Sequence, residues 1–230
     1  MTSSRPKSSA RKTAGGAERN ARTDGAATRA RIIEAAGQLF AEHGYADTTS
    51  KAVCERAQTN IAAVNYHFGS RDGLYLALLE EVHQRLMSID YLTGLADSAL
   101  PAEEKLGQFI DGLAPIVING QSWHTRLWAR ELFAPSPLLP QVMREQTMPK
   151  FNILLRIISE ITGIPARDPA LTRCMLNIMA PCIMLLIIRR NVESPIQGLF
   201  KQPAEELAQH MKAYALGGLA AIATERRKAA

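Results

Sequence analysis

Residues 30–79 read ARIIEAAGQLFAEHGYADTTSKAVCERAQTNIAAVNYHFGSRDGLYLALL, and the spacing of their apolar side chains decides the fold. Ile32, Ile33, Ala36, Leu39 and Phe40 recur at helical intervals, with Thr28 placed as an N-cap and Gly44 as a stop. Thr48, Thr49 and Ser50 offer caps for a short helix through Ala52, Val53 and Ala57. A brief break at Gln58-Thr59-Asn60 precedes a third helix from Ile61 to about Phe68. After Gly69-Ser70 a fourth begins near Arg71 and buries Leu74, Tyr75, Leu78, Leu79, Val82 and Leu86. Two short helices joined by a tight turn and packed on an amphipathic helix are the ingredients of a helix-turn-helix, while a plain helical cap on a larger bundle contains the same parts.

The residues are more specific than the helix pattern. Ile32/Ile33, Ala35-Ala36, Leu39-Phe40, Gly44-Tyr45, Thr48-Thr49, Tyr66-His67-Phe68 and Ser70-Arg71 fall in the order of the TetR family's N-terminal module, which residues 30–79 resemble throughout. Three positions depart from that pattern. The turn glycine expected after Ala57 is Gln58, the tyrosine expected at position 65 is Asn65, and the lysine expected after Ser70 is Arg71. The resemblance implies an all-α fold, with an N-terminal three-helix helix-turn-helix module followed by a larger helical ligand-binding and dimerisation domain. It implies a cytoplasmic, ligand-responsive, DNA-binding transcriptional regulator, with a repressor released from its operator by a small molecule as the default.

Within that module the chemistry assigns roles. Thr49 and Asn60, with Thr48 beside them, stand at helix N-termini, whose exposed N–H groups favour phosphate. Tyr66 and His67 are polar-tipped rings near the end of a short helix, and Arg71 offers a charge-assisted phosphate contact. Sequence readout falls to the groove-facing side of Ile61, Ala62, Ala63 and Asn65: the alanines permit close approach, and Asn65 is either a bidentate partner for adenine or an ordinary exposed amide.

Charge is unevenly spread. Residues 1–31 carry eight basic side chains against Glu18 and Asp24, which accounts for more than the whole chain's net +5. Residues 1–26 lack an apolar period and are expected to be a disordered basic arm, either solvated or tracking phosphates through Arg22 and Arg29. The expected domains are this arm, a DNA-binding domain over 27–73, and an effector-binding and dimerisation domain over 74–230.

The second half is also helical in pattern, with helices expected from Pro101 to Asn119, Trp123 to Phe133, Leu138 to Ile161 with a kink at Pro149, Pro169 to Arg190 and Pro203 to Arg226. Arg126-x-x-x-Arg130-Glu131 followed by Pro135 to Pro140 resembles the C-terminal domain of the CecR-type subgroup. Trp123, Leu127, Trp128, Glu131, Met143 and Met148 mix rings, thioethers and a charge, and are expected to line an effector pocket or to be ordinary core. Ile178, Pro181, Met184, Met211 and Gly218 are expected at a homodimer interface, although a monomer core explains the same pattern. The apolar run Met175 to Ile188 is too short to cross a bilayer and reads as a buried helix.

Three cysteines without CxxC spacing, Cys54, Cys174 and Cys182, suggest neither a disulfide framework nor a zinc site. The chain carries no catalytic triad order, metal cluster, phosphate loop or dinucleotide fingerprint, so neither enzyme chemistry nor a cofactor is expected. The expected partners are double-stranded operator DNA, a second copy and a small-molecule effector, with no membrane. A helical carrier without DNA function would use the same pocket.

Overall fold

The structure is a computed structural model that describes residues 14–120, 122–188 and 195–229, with side chains from 24 to 228. Every regular element among them is helical. Helix α1 spans Ala14–Asp47 and is broken at Gly44, whose φ of 87° belongs to the left-handed side that glycine adopts without strain. Helices α2 (Ser50–Arg56), α3 (Ile61–Phe68) and α4 (Arg71–Leu86) follow at the expected places. Each is capped as its sequence suggests: Thr49 Oγ1 accepts from Ala52 N–H, Asn60 Oδ1 from Ala63 N–H and Ser70 Oγ from Gly73 N–H, all within 3.1 Å. Thr28 is not an N-cap, since α1 already runs through it. Disorder was expected to residue 26, but the helix reaches back to Ala14; residues 1–13 lie outside the described ones.

The remaining helices are α5 (Ile89–Asp97), α6 (Ala102–Asn119), α7 (Trp123–Phe133), α8 (Leu139–Val142), α9 (Met148–Thr162), α10 (Pro169–Ile187) and α11 (Ala204–Ala229). Sequence periodicity misses α5, which Ser88 caps through Tyr91 N–H and which buries Leu92, Leu95 and Ala96. The break expected at Pro149 comes earlier, as a wide π turn over Met143–Thr147. Pro149 instead occupies the first turn of α9, where its missing N–H costs nothing.

Among the described residues two hydrophobic cores form. One joins α5, α6, α9, α10 and α11, with Phe109, Ile110, Ile157, Ile158 and Leu171 at its centre. The other gathers Ile32, Phe40, Val53, Val64, Leu74, Tyr75 and Leu78 from the first four helices, together with Trp123, Leu127 and Trp128 of α7 and Val142 of α8. The domain boundary expected at residue 73 therefore cuts through one continuous core. Gly37 makes the joint: a Cβ there would lie 2.4 Å from the Trp123 ring, so the indole rests directly on α1 backbone. An interior helical glycine costs about 1 kcal/mol, while burying an indole contributes on the order of 5 kcal/mol, so the close fit wins.

Helix α10 corrects the reading of the apolar run. Asp168 caps it and Pro169 opens it, so it has 19 residues and is long and apolar enough, by length and composition, to cross a membrane. It is also not wholly buried. Cys174, Met175, Ile178 and Cys182 enter the core, whereas Leu176 and Met184 are exposed alongside Arg173 and Asn177.

Candidate nucleic-acid interface

Helix α3 buries Val64 against the helix-turn-helix core and leaves Ile61, Ala62, Asn65 and Tyr66 exposed, with Ala63 and His67 half-buried. Tyr66 is 84% exposed and Ile61 50%, an unusual outlay of apolar surface for a short capped helix. The turn before α3 is held by Thr59 N–H donating to Cys54 O at 3.0 Å. Gln58 within it has a φ of 50°, the left-handed conformation for which the related pattern uses glycine.

The far end of α3 is braced by α1. The Arg29 guanidinium lies 5.3 Å from the centre of the Phe68 ring, and the His67 ring stands edge-on to Tyr66 at 5.0 Å. Arg29 is exposed, so its charge sits beside the outward face of α3. The side chain of Arg22 lies outside the described residues. At the other end, Lys51 is almost fully exposed beside the N-cap Thr49. Sequence reasoning passed over Lys51, although its place in the first turn of α2 was legible.

Two expected contacts are corrected. Thr48 is 2% exposed, and its hydroxyl donates to Gly44 O at 2.8 Å, closing the end of α1. Arg71 is turned inward: its guanidinium donates to Thr48 O at 2.8 Å and to Tyr45 O, and lies over the Tyr45 ring at 4.2 Å. Both groups satisfy main-chain oxygens in the bend after Gly44, and both serve to hold α2 in place rather than to face a phosphate.

Behind this surface α7 grips the module. Arg130 donates to Glu42 O at 2.7 Å and to Ala41 O at 3.3 Å, satisfying carbonyls at the end of α1. Its neighbour Glu131, 1% exposed, accepts from the Tyr75 hydroxyl at 2.6 Å and from the N–H and hydroxyl of Ser136. Burial first, and the Glu131 carboxyl second, push the Tyr75 hydroxyl pKa far up, so it remains a donor. Tyr75 in turn packs edge-on against Tyr45 at 4.9 Å, and Tyr45 donates to Asp72 at 2.7 Å.

Four of the expected effector residues, Trp123, Leu127, Trp128 and Glu131, stand where α7 meets the first four helices. Trp123, Leu127 and Trp128 pack in the shared core, Trp123 donates to Glu34 at 2.8 Å, Met143 is half-buried against that core, and Met148 is 48% exposed. A groove of about 880 Å³ lies elsewhere, between α10 and α11, lined by Asn177, Pro181, Met184, Tyr214, Gly217 and Gly218 among others. Of the expected interface residues, Pro181, Met184 and Gly218 line it and are exposed. Ile178 forms its buried floor, and Met211 is half-buried against the core.

Two family models match the chain. Residues 32–78 match the family model of bacterial regulatory proteins of the tetR family, and residues 102–222 match the C-terminal domain of the HTH-type transcriptional dual regulator CecR. The chain is 26% identical over 133 residues to the probable HTH-type transcriptional regulator YttP of Bacillus subtilis, covering 58% of this chain and 64% of YttP. It is 34% identical over 70 residues to the HTH-type transcriptional repressor AcnR of Corynebacterium glutamicum, covering 30% of this chain and 37% of AcnR. The chain thus spans less than two thirds of either relative. In fold it is similar to a TetR-like transcriptional regulator from Rhodococcus sp. RHA1, with a TM-score of 0.62 at 15% identity over 84% of this chain and 96% of that one. It is also similar to the MbdR regulator from Azoarcus sp. CIB, with a TM-score of 0.60 at 19% identity over 83% and 98%. With one model matching the helix-turn-helix and the other more than half of the chain, this protein belongs to the TetR family of bacterial regulators and carries a CecR-type C-terminal domain.

Proposed function

We propose that the protein is a DNA-binding transcriptional regulator that acts as a homodimer and is released from its operator by a small molecule. The observation that carries this reading is the outward face of α3: Ile61, Ala62, Asn65 and Tyr66 stand exposed on a capped helix that buries Val64 alone of its eight residues. In the proposed complex α3 enters the major groove, with Asn65 offered to a base edge and Tyr66 to the backbone. Arg29, Lys51, Thr49 and Asn60 flank it as phosphate contacts, and the basic residues ahead of Arg29 follow the adjacent backbone. Repression is the default because blocking a promoter needs no further contact, and AcnR is by name a repressor.

Two copies joined along α10 and α11 would present two such helices, and half-sites about 34 Å apart accept both on one side of the duplex. The seam built by Arg130 and Glu131 ties α7 to the end of α1 and to α4, so a ligand that shifts α7 tilts the heads. It shifts the equilibrium only by its preference for the non-binding form.

The test is retention of genomic fragments by the purified protein, followed by gel shifts on the retained sequence at low and raised salt. A near-palindromic site and a steep loss of affinity with salt are expected. Asn65→Ala should relax the preference at one base pair per half-site by about 1–3 kcal/mol with the salt slope unchanged. Binding without sequence preference, or none at all, would leave a helical carrier as the better reading.

A further inference from the structure

Lys150, in the first turn of α9, is only 8% exposed. Its ammonium donates to the His83 main-chain oxygen at 2.8 Å, and among the described residues no carboxylate lies within the 4.0 Å of an ion pair. Lys105 is the contrast. That lysine is equally buried, but besides a carbonyl it has Glu160 at 3.6 Å. A buried ammonium without a counter-charge bears several kcal/mol of desolvation that one carbonyl offsets only in part.

Two further polar atoms nearby are buried without a partner: His83 Nε2 and Thr147 Oγ1. Thr147 precedes Lys150 by three residues, which puts the two on one side of the helix. His83 meets Lys150 from α4 through its main-chain oxygen, and its ring stands edge-on to Trp128 at 4.5 Å. Thr147 also closes the π turn Met143–Thr147, and wide turns of this kind are frequent at functional sites. The cluster therefore offers an ammonium, a hydroxyl and an imidazole beside an aromatic wall, and supplies no acid of its own.

We propose that the effector is a small organic acid, its carboxylate held by Lys150, Thr147 and His83 and its apolar part lying against Trp128 and the thioether of Met143. This rests on the reading of the chain as a ligand-responsive regulator. The carboxylate provides the missing counter-charge and accepts from the lysine and threonine, and from His83 in the tautomer that carries its proton on Nε2. Entry opens the π turn. Val142, directly before that turn, is buried in the core shared with α1 and α4, so the opening reaches the DNA-binding module by direct packing.

The test sets hexanoate and benzoate against hexanamide and benzamide at millimolar concentration, on the full chain, by thermal shift and by release of a retained DNA fragment. Both acids should raise the unfolding midpoint and weaken DNA binding, and the amides should do neither. Lys150→Met should lose the acid response by about tenfold or more while binding DNA normally without acid, and Lys150→Arg should keep part of it. Thr147→Val, nearly isosteric, should weaken the response a few-fold and serves if Lys150→Met fails to fold. Acids and amides acting alike, no acid acting, or Lys150→Met responding as wild type would each overturn the proposal. Release of DNA by a neutral compound would overturn the acid and spare the regulator. Absence of any promoter binding would overturn the regulator, and the thermal shifts would still decide the acid.

Discussion

Gln58 keeps the turn between α2 and α3 at a φ of 50°, a conformation that costs a side-chain-bearing residue about 1 kcal/mol or more and glycine almost nothing. Gln58→Gly removes that strain but widens the unfolded ensemble, an opposing effect of about 0.4–1 kcal/mol. A net gain of about 0.5 kcal/mol is therefore expected, read as a higher urea midpoint at unchanged slope, and a loss of stability would show that the turn is not strained. His83 gives a second prediction. Burial first and the Lys150 ammonium second lower its pKa to about 4, below the 6.5 of an unperturbed histidine. The unfolded chain then binds the extra proton, so this contribution is complete above about pH 6.5 and is lost as pH falls toward 4. The difference in urea midpoint between wild type and His83→Phe should change across that window and stay flat above it. Residue type was legible in the sequence for all these positions, but direction was not. Thr48 and Arg71 look like phosphate ligands until the structure shows their partners, main-chain oxygens at Gly44, Tyr45 and Thr48 that the break at Gly44 leaves open.

The elements that sequence reading located best are those that carry their own punctuation. Thr49, Asn60 and Ser70 each mark a helix start by a cap, and each start falls where its residue places it. Helix α5 escaped because its nine residues hold too short an apolar pattern, and the π turn escaped because no residue type demands that winding. What joins elements was least legible: the grip of α7 on α1 and α4 depends on Gly37, Arg130 and Glu131, which are far apart in sequence from the groups they meet. The Tyr75–Glu131 bond is the measurable part of that grip. Tyr75→Phe should cost about 1–3 kcal/mol, since Glu131 Oε1 keeps both Ser136 donors while the buried Oε2 loses the tyrosine hydroxyl. Glu131→Gln should cost about 1–3 kcal/mol, because its amide turns a donor toward Tyr75 or Ser136. The double variant should cost less than the sum by about 1 kcal/mol in denaturant unfolding. Strict additivity would mean that the two side chains do not act through one another.

At the scale of the molecule the packing of the described residues leaves an apolar groove uncovered between α10 and α11, with Tyr214 74% exposed and Met184 55% exposed along it. Lipid is a poor occupant, because Arg173 and Asn177 are exposed on the same helix, and a second copy of the same polar-edged surface suits them better. Gly217 and Gly218 give the cleanest probe of this. A Cβ at either meets nothing within 4 Å, so Gly218→Arg adds a long charged side chain to the groove without straining the folded chain. The expected product is a monomer by sedimentation, with wild-type helicity by circular dichroism. Its DNA affinity should fall by orders of magnitude on a two-half-site operator and little on a single half-site, since joining two heads is worth only what their shared site returns. A Gly218→Arg protein that sediments as a dimer and binds the full operator as wild type would place the interface somewhere other than α10 and α11.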